Sequence, residues 1–382
     1  MKNVPKILQV GKFYPPVVGG IETTMQDICN GINTSGLTCD VLCSNSIKSF
    51  QLDILDSKAR IYRTKSYGKV ANTSITPQMI YFLKNIGKAY DIIHLHLPDP
   101  MANLALLCAN LHDKIVILHW HSDIIKQKYL LQLYKPLQSW LLKRANVIIG
   151  TSPKYIKQSP FLKAYQDKCV AIPSGIQSPQ SIQRSPIRNP KLLFALGRLV
   201  GYKGFEYAIK MMQYLPQDYC LCIGGKGELE SSLKALVSDL NLNHRISFLG
   251  FIADKDLPEL YAKSGIFILS SITKNEAFGL VQIEAMSHGV PVVSCSIEGS
   301  GVDWVNQNGY SGIVVPPKDP KALAQAVLEI SKNYDFYSKN AIQRFQEHFT
   351  KEKMISSLKD LYMRLISADQ QNLSLYSYTS GQ

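Results

Sequence analysis

The chain has 382 residues, of which 46% are hydrophobic and 19% are charged, with 24 glycines and 19 prolines. This length exceeds one ordinary core and predicts two domains of about 150–200 residues each. The composition excludes collagen-like, low-complexity and bulk-disordered chains. No apolar run reaches the roughly 18–20 residues that span a bilayer, and residues 1–9 lack the apolar core of a signal peptide. We therefore expect a cytoplasmic protein.

The net charge of +13 is concentrated in the first half of the chain. Residues 1–184 contain 22 basic and 10 acidic residues, a net charge of +12, whereas residues 185–382 contain 20 and 19, a net charge of +1. This asymmetry indicates a polyanionic or membrane-surface partner for the first half. Basic and aromatic residues do not interleave as in RNA-binding proteins, and no segment has the pattern of a recognition helix, so nucleic acid is not expected.

Short apolar strands alternate with helical patterns along the first half. The sequence predicts strands over 6–10, 38–43, 91–95, 114–118 and 146–150, and helices over 21–34 and 76–88. This alternation is typical of a parallel sheet that is covered by helices on both faces. A further helical pattern over 127–145 combines an apolar stripe with Lys128, Lys135 and Lys143, and Pro136 predicts a kink in it.

A polar, aperiodic stretch over 173–190 separates the two halves and has the composition of a linker, which we place at 179–190. The second half then predicts strands over 191–196, 219–223, 246–249, 266–270, 290–295 and 312–315, and helices over 205–213, 228–241, 280–288 and 321–332. The predicted organisation is a domain at 1–178, a domain at 191–345, a helix at 346–366 and a flexible tail at 367–382. Two such doubly wound α/β domains, facing each other, would form a central cleft at the carboxyl ends of their strands.

Two cations follow the first strand of the second domain. The segment Gly197-Arg198-Leu199-Val200-Gly201-Tyr202-Lys203-Gly204 places Arg198 and Lys203 five residues apart, among glycines and before a helix. An arginine can fork a phosphate through two hydrogen bonds, and a lysine adds a point charge. Taken alone, the pattern is equally typical of two solvated loop charges.

A second pattern lies at the entry to the predicted helix 280–288. Glu276 precedes this helix, and Glu284 follows eight residues later in an otherwise apolar stretch. Backbone N–H groups around Phe278, Gly279 and Leu280 would be free at the helix N-terminus to bind a phosphate. A largely buried Glu284 requires a hydrogen-bonding partner, for which a ribose diol is a candidate. The alternative is a capping glutamate followed by a surface glutamate.

Together with the early Gly19-Gly20, these two motifs resemble those of glycosyltransferase family 4, the retaining transferases with the two-domain GT-B fold. The resemblance extends over about residues 4–366. It implies that Arg198 and Lys203 bind the donor diphosphate, with backbone groups of Gly20, Phe278, Gly279 and Leu280. It also implies that Glu284 binds the nucleotide ribose, that Glu276 contacts the donor sugar, and that the C-terminal helix returns to the N-terminal domain.

Two His-x-His pairs, His94/His96 and His119/His121, each share one face of a strand. The resemblance implies that His121 reaches the donor sugar and the acceptor, although a structural histidine has the same pattern. The pairs could form a zinc site, but no aspartate, glutamate or cysteine pattern completes one.

Asp254-Lys255-Asp256 resembles a metal motif of another glycosyltransferase fold, yet the following Leu-Pro-Glu favours an N-cap. We therefore expect no metal and no cofactor.

The resulting hypothesis is a retaining transferase that moves a hexose from a nucleotide-diphosphate sugar, of the GDP-mannose type or a UDP-hexose, to a hydroxyl group. Residues 275–286 and 299–305 resemble transferases of bacterial surface polysaccharides, including lipopolysaccharide and O-antigen. By analogy, this implies a lipid-linked glycan acceptor and a peripheral position on the anionic inner face of the plasma membrane. The alternatives are a nucleotide-sugar epimerase on a similar scaffold and a non-catalytic basic module that binds membranes.

Overall fold

A computed structural model describes residues 4–17, 19–70, 73–124, 128–179 and 189–379. It divides into two compact units. The first comprises Met1–Thr151, Ser159–Ile172 and Glu352–Gln382, and the second comprises Ser152–Gln158 and Pro173–Lys351. The predicted linker at 179–190 falls largely on residues 180–188, which lie outside the described residues.

The first unit is a Rossmann-like α/β unit. Its strands are β1 Lys6–Gly11, β2 Thr38–Ser44, β3 Gln51–Ile54, β4 Arg60–Thr64, β5 Lys69–Val70, β6 Thr73–Ser74, β7 Ile92–Leu97, β8 Ile115–Trp120, β9 Val147–Gly150 and β10 Cys169–Ala171. Its helices up to this point are α1 Gly20–Thr34, α2 Gln78–Ile86, α3 Pro100–Ala109 and α4 Lys128–Arg144. The predicted strands and helices of this half are present, with bounds that differ by a few residues.

The main sheet of this unit has the strand order β10-β9-β8-β7-β1-β2-β4-β3. All neighbouring strands are parallel except β3, which runs antiparallel to β4 at the edge. Every residue of β7 and β8 is buried, as expected for parallel strands covered on both faces. The order reverses between β1 and β7, and ligands of such sheets bind beyond the carboxyl ends of the strands at this point.

The second unit is also a Rossmann-like unit. Its strands are β11 Leu192–Leu196, β12 Cys220–Gly224, β13 Ile246–Gly250, β14 Ile266–Leu269, β15 Val292–Cys295 and β16 Gly312–Val315. Its helices are α5 Pro153–Gln158, α6 Phe205–Met211, α7 Glu230–Asp239, α8 Leu257–Lys263, α9 Leu280–Ser287, α10 Val302–Val305, α11 Pro320–Lys332 and α12 Tyr334–His348. The parallel sheet has the order β13-β12-β11-β14-β15-β16, so its reversal lies between β11 and β14.

The boundary between the units differs from the predicted one at residue 178. Helix α5 belongs to the second unit, because Lys154 forms an ion pair with Asp303 and the Gln158 Oε1 atom accepts a hydrogen bond from the Gly299 N–H group at 3.0 Å. Both contacts join residues more than 140 positions apart in the sequence. The amino-acid composition around the boundary does not predict these two contacts.

The C-terminal region forms two helices, and the break between them lies inside the helix predicted at 346–366. Helix α12 ends before Phe349, which is fully buried, and α13 extends over Lys351–Thr379. Met354, Leu358 and Tyr362 pack in the apolar core of the first unit, so the implied return of this helix to the N-terminal domain is observed. The backbone is helical as far as Thr379, so the described part of the predicted tail at 367–382 continues this helix.

Among the described residues, no helix is both long enough and apolar enough to cross a bilayer. Helix α4 corresponds to the predicted pattern over 127–145 and continues through Pro136.

Candidate active site

The two sequence motifs of the second unit lie at the strand-order reversal of its sheet. Arg198 and Lys203 follow β11, and Glu276 follows β14, which is the neighbour of β11. The two loops are joined directly: the Ile272 N–H group donates to the Tyr202 carbonyl at 2.9 Å, and the Ser270 hydroxyl donates to the Lys203 carbonyl at 3.0 Å. The fold therefore brings the two motifs together at the expected ligand-binding edge.

Lys203 and Glu276 form an ion pair. The Lys203 Nζ atom lies 2.5 Å from the Glu276 Oε2 atom, and each side chain is 11% exposed. The Ser271 hydroxyl donates a second hydrogen bond to the same oxygen at 2.9 Å. Glu276 is thus neither a helix cap nor a surface residue. Its carboxylate is held at the edge of the sheet by one cation and one hydroxyl, and charge-assisted bonds of this kind are the strong ones.

Arg198 differs from Lys203 in its surroundings. Its side chain is exposed, and among the described residues its guanidinium group has one hydrogen-bond partner, the Tyr202 hydroxyl, 3.4 Å from Nη2. The guanidinium group therefore has most of its donors available to an anion, whereas the Lys203 ammonium group already has a carboxylate partner.

The glycines beside Arg198 allow two loops to approach closely. Gly225 follows β12 with φ +119°, and a Cβ atom placed on it would lie 1.9 Å from the Gly197 carbonyl oxygen. Only glycine fits such a contact. The segment Gly225-Lys226-Gly227 therefore lies against the loop that carries Arg198, with Lys226 exposed. This segment was not among the predicted site residues, although the sequence shows its glycine–lysine pattern after a strand.

Glu284 lies in α9, half-buried, with a protein partner. Its Oε2 atom accepts a hydrogen bond from the fully buried Tyr261 hydroxyl at 2.8 Å. Burial raises the pKa of Glu284, and the nearby Asp254 acts in the same direction, whereas the Tyr261 bond and Lys203 lower it. The requirement for a hydrogen-bonding partner is met by Tyr261, which the sequence analysis did not anticipate.

The entry to α9 has the backbone that its predicted role requires. Gly279 is the N-cap with φ +75°, a left-handed conformation that favours glycine, and Phe278 packs edge-on against Phe349 at 5.9 Å. The first amides of a helix have no acceptor within that helix, and Leu280 occupies this first position. The Ser300 hydroxyl donates to the Glu276 carbonyl at 2.5 Å, which fixes the preceding loop.

In the first unit, His121 directly follows β8 and belongs to a stack of four buried histidines. The register pairs His96 of β7 with His119 of β8, and His94 and His121 lie two residues away on the same face. Ring centroids of neighbouring members lie 4.2–5.4 Å apart. We call these four residues the histidine stack. The sequence links the two pairs only as a candidate zinc site, because it does not show that β7 and β8 are neighbours.

Burial lowers the pKa of every member of the histidine stack. The pKa values of His94 and His121 are lowered to about 3, and those of His96 and His119 fall well below the usual range. Neighbouring histidines lower the pKa of His94, His96 and His119 further. All four rings are therefore neutral near pH 7.

His94, His96 and His119 each bring a ring nitrogen within 4.8 Å of the other two, as in a possible metal site. Both nitrogens of His96 are already hydrogen-bonded, to Gln9 at 2.8 Å and to His121 at 2.9 Å. A cation would therefore have to replace one of these bonds.

Asp256 occupies the N-cap of α8, but its side chain forms no capping hydrogen bond, so the predicted capping role of Asp254-Lys255-Asp256 is wrong as to the side chain.

Gly20 is the first residue of α1, at the strand-order reversal of the first unit. Two charged residues at this edge were absent from the sequence analysis. Lys12 follows β1, and burial lowers its pKa although Asp99 and Glu22 act against this. Asp99 follows β7 and caps α3 through the Met101 N–H group at 3.1 Å, and burial raises its pKa to about 6. An aspartate followed by a proline after a strand is a readable capping signal.

Two family profiles together match nearly the whole chain. The profile described as Glycosyltransferase Family 4 matches residues 18–178, and that described as Glycosyl transferases group 1 matches residues 177–348. The chain is 31% identical to the O-antigen chain mannosyltransferase C of Escherichia coli over 95% of this chain and 99% of the relative. It is 28% identical to the D-rhamnosyltransferase WbpZ of Pseudomonas aeruginosa over 90% and 92% of the two chains.

Solved structures share the fold at low sequence identity. The sucrose-phosphate synthase of Thermosynechococcus elongatus superimposes with a TM-score of 0.75 at 20% identity, covering 95% of this chain and 100% of the other. HepE of Anabaena, solved in complex with UDP, gives a TM-score of 0.74 at 20% identity, covering 94% and 100%. The predicted GT-B fold with two Rossmann-like domains is confirmed.

Proposed function

The chain belongs to glycosyltransferase family 4, and on that premise we propose that it is a retaining hexosyltransferase that uses a nucleotide-diphosphate sugar to extend a bacterial surface polysaccharide. The polysaccharide class rests on the E. coli relative, which is named as an O-antigen chain mannosyltransferase and matches over almost its entire length. The glycosyltransferase activity itself follows from the family.

The observation that carries the proposal is the arrangement at the β11–β14 edge. Arg198 presents a largely uncommitted guanidinium group, Lys203 pairs with Glu276, and the first amides of α9 follow Gly279. Cleavage of a sugar–diphosphate bond leaves two negative phosphates and a sugar with oxocarbenium character. Preorganised positive groups at the departing charge supply the largest share of catalysis in reactions of this kind.

Each residue of this edge then has a defined task. Arg198, Lys203 and the amides of Phe278, Gly279 and Leu280 bind the diphosphate. Glu276 orients sugar hydroxyls, and Glu284, held by Tyr261, binds the ribose. Lys203 and Ser271 both contact the Oε2 atom of Glu276 and hold the carboxylate in place, and Glu276 is not proposed as a nucleophile. The acceptor attacks from the face of the leaving group, and the departing phosphate removes its proton.

The cations replace a metal in this proposal. A departing diphosphate requires charge neutralisation, which Arg198 and Lys203 provide without Mg²⁺. The donor base remains either guanine, as in GDP-mannose, or uracil. The mannosyltransferase name of one relative favours a GDP-mannose-type donor, and the UDP complex of a structural neighbour favours a UDP-hexose.

The proposal includes a lipid-linked acceptor and contact with the anionic inner face of the plasma membrane. In α4, Tyr134 and Leu141 of the apolar stripe face the interior of the unit, as an ordinary core stripe does. Leu133, in contrast, is 81% exposed beside the exposed Lys135. Residues 114–168 contain ten basic and two acidic residues. Each basic residue near an anionic surface contributes about 1 kcal/mol to binding.

The donor is identified by a thermal-shift screen against a panel of GDP- and UDP-sugars, followed by product analysis with lipid-linked glycans. The correct donor should raise the melting temperature through mass action. Glu284→Ala is the matched control and should lose the shift. Absence of both a shift and a product with every donor contradicts the proposal. Conversion of the donor into an isomer without any acceptor supports the epimerase alternative.

Membrane contact is tested with vesicles of anionic or neutral lipid. Replacement of Lys126, Lys128, Lys135 and Lys143 by glutamine should release the protein from anionic vesicles and leave activity on a short water-soluble acceptor intact. Lys126 lies outside the described residues, and only the backbone of Lys128 is described. The control replaces four surface lysines of the second unit: Lys210, Lys234, Lys255 and Lys263. Equal binding of wild type to both lipids at low salt contradicts the membrane contact.

A further inference from the structure

The histidine stack contains a hydrogen-bond chain that ends at His121. The Gln9 side chain, buried in β1, donates from Nε2 to the Met25 carbonyl at 3.1 Å. Its Oε1 atom lies 2.8 Å from His96 Nε2, and His96 Nδ1 lies 2.9 Å from His121 Nε2. The chain thus connects the core of the first unit, through two buried rings, to the residue to which a substrate contact is attributed.

Each proton in this chain has one consistent position. The Met25 carbonyl can only accept a hydrogen bond, so the amide nitrogen of Gln9 must face it and Oε1 must face His96. Because Oε1 only accepts, His96 must carry its proton on Nε2. A neutral His96 then has a lone pair on Nδ1 and accepts a hydrogen bond from His121 Nε2–H. The remaining nitrogen of His121, Nδ1, is left without a proton.

The opposite direction of the hydrogen bonds along this chain, with donation from Gln9 towards His121, is unfavourable. It would require His96 Nε2 to accept a hydrogen bond, so the Gln9 amide would have to turn its nitrogen towards His96. Its oxygen would then lie about 3 Å from the Met25 carbonyl oxygen, so two buried acceptors would face each other, with the Cys39 thiol, a weak donor 3.3 Å from this end of Gln9, as the nearby polar group. The two facing acceptors would repel each other, and the hydrogen bond from Gln9 to Met25 would be lost. A charged His96 is opposed by burial, which lowers its pKa.

His121 is the most accessible member of the stack. It is 9% exposed, whereas His94 and His119 are fully buried and His96 is 1% exposed. Among the described residues, no hydrogen bond involves His121 Nδ1. The ring is therefore anchored through one nitrogen and retains the other for a ligand.

We propose that Gln9 and His96 are positioning residues that hold His121 in its Nε2–H tautomer. In this tautomer Nδ1 carries no proton, so it can accept a hydrogen bond but cannot donate one, and its partner is a substrate hydroxyl. The hydroxyl assignment rests on the proposed function, whereas the tautomer does not. A neutral acceptor of this kind suits a sugar or acceptor hydroxyl and is unsuited to the donor phosphates.

The tautomers can be measured directly by NMR of the full-length enzyme with ring-15N histidine, in which two-bond 1H–15N correlations distinguish the two tautomers. The His121 signals are assigned by their loss in His121→Ala. We expect His96 and His121 both to be Nε2–H tautomers near pH 7.5. In Gln9→Leu the acceptor for His96 is removed, and both histidines should shift towards the Nδ1–H tautomer. Gln9→Glu, kept neutral by burial, would donate its carboxyl O–H to the Met25 carbonyl and still accept from His96, so it should restore the wild-type pattern.

Activity provides the second readout. Gln9→Leu should lower kcat at least about tenfold, because His121 would no longer present an acceptor that orients the substrate hydroxyl. The KM for the nucleotide sugar should change little, since the proposed nucleotide contacts are in the other unit. Gln9→Glu should recover most of kcat. The matched control is Leu8→Val, because Leu8 is the adjacent, fully buried residue on the opposite face of β1.

The outcomes separate the two proposals. An Nδ1–H tautomer or a charged ring at His121 in the wild type overturns the positioning role, whatever the activity. The expected tautomers, combined with equal kcat in Gln9→Leu and Leu8→Val, overturn its catalytic importance. Absence of transferase activity in the wild type with every donor overturns the proposed function, while the tautomer result is still decided by NMR.

Discussion

At the residue scale, Glu276 and Glu284 should have separable effects. Glu276→Ala removes the sugar contact and leaves Lys203 without its carboxylate partner, so we expect kcat to fall while donor affinity changes less. Glu284→Ala removes the proposed ribose contact and should mainly raise the Kd for the donor. Steady-state kinetics and calorimetric titration of the donor measure the two effects. Full transfer activity in Glu276→Ala would show that this motif has been assigned incorrectly.

The two cations give a second prediction at the same scale. Arg198→Ala and Lys203→Ala should each lower kcat/KM by roughly 10²–10³, as expected for the loss of one preorganised charge partner. Glu206→Ala is a control, because Glu206 lies on α6 nearby with its side chain 45% exposed. EDTA should leave wild-type activity largely intact, since the cations neutralise the diphosphate. Complete loss with EDTA and recovery with Mg²⁺ or Mn²⁺ would return attention to Asp254 and Asp256.

At the element scale, α13 is joined to the sheet of the first unit through one buried polar contact. The Tyr362 hydroxyl lies 2.7 Å from His94 Nδ1, and both residues are fully buried. Tyr362→Phe leaves that nitrogen unpaired and should lower the free energy of unfolding by about 1–3 kcal/mol. Urea unfolding in a Trp304→Phe background reports on this unit, because the remaining Trp120 and Trp140 both lie in it. Tyr81→Phe, at a residue 66% exposed, should change little.

At the scale of the whole molecule, the histidine stack should make stability depend on pH. The folded-state pKa values of these histidines lie below the unfolded value of about 6.5. Below that pH the unfolded chain binds protons that the folded chain does not, so stability is lost as the pH falls from about 6.5 towards 3. Each histidine contributes up to about 1.4 kcal/mol per pH unit in this range.

His119 provides the matched variant for this prediction. Neither of its ring nitrogens has a hydrogen-bond partner among the described residues, so His119→Leu removes a titrating group without removing a hydrogen bond. The variant should be about as stable as wild type at pH 7.5 and more stable at pH 5. Urea unfolding at several pH values measures the difference, which corresponds to one proton. Parallel pH dependence in the two proteins would contradict the role assigned to the stack.

The features that could be predicted from the sequence are those set by residues close together along the chain. Hydrophobic runs with glycine and proline breaks are local, and they predicted the strand–helix alternation and most element positions in both units. The spacing of Glu276 and Glu284, and the glycines around Arg198 and Lys203, are also local. They sufficed to identify the family and the residues of the β11–β14 edge.

Contacts between residues that are distant in the sequence became visible in the folded structure alone. Lys203 pairs with Glu276 across 73 positions, and Gln9 reaches His96 across 87, because strand order and register place them side by side. The same register converts two separate His-x-His pairs into one stack. The break at Phe349 and the transfer of α5 to the second unit depend likewise on burial and on contacts between distant segments. Periodicity describes which face of an element is apolar, but the neighbour of that face is set by how the whole chain packs.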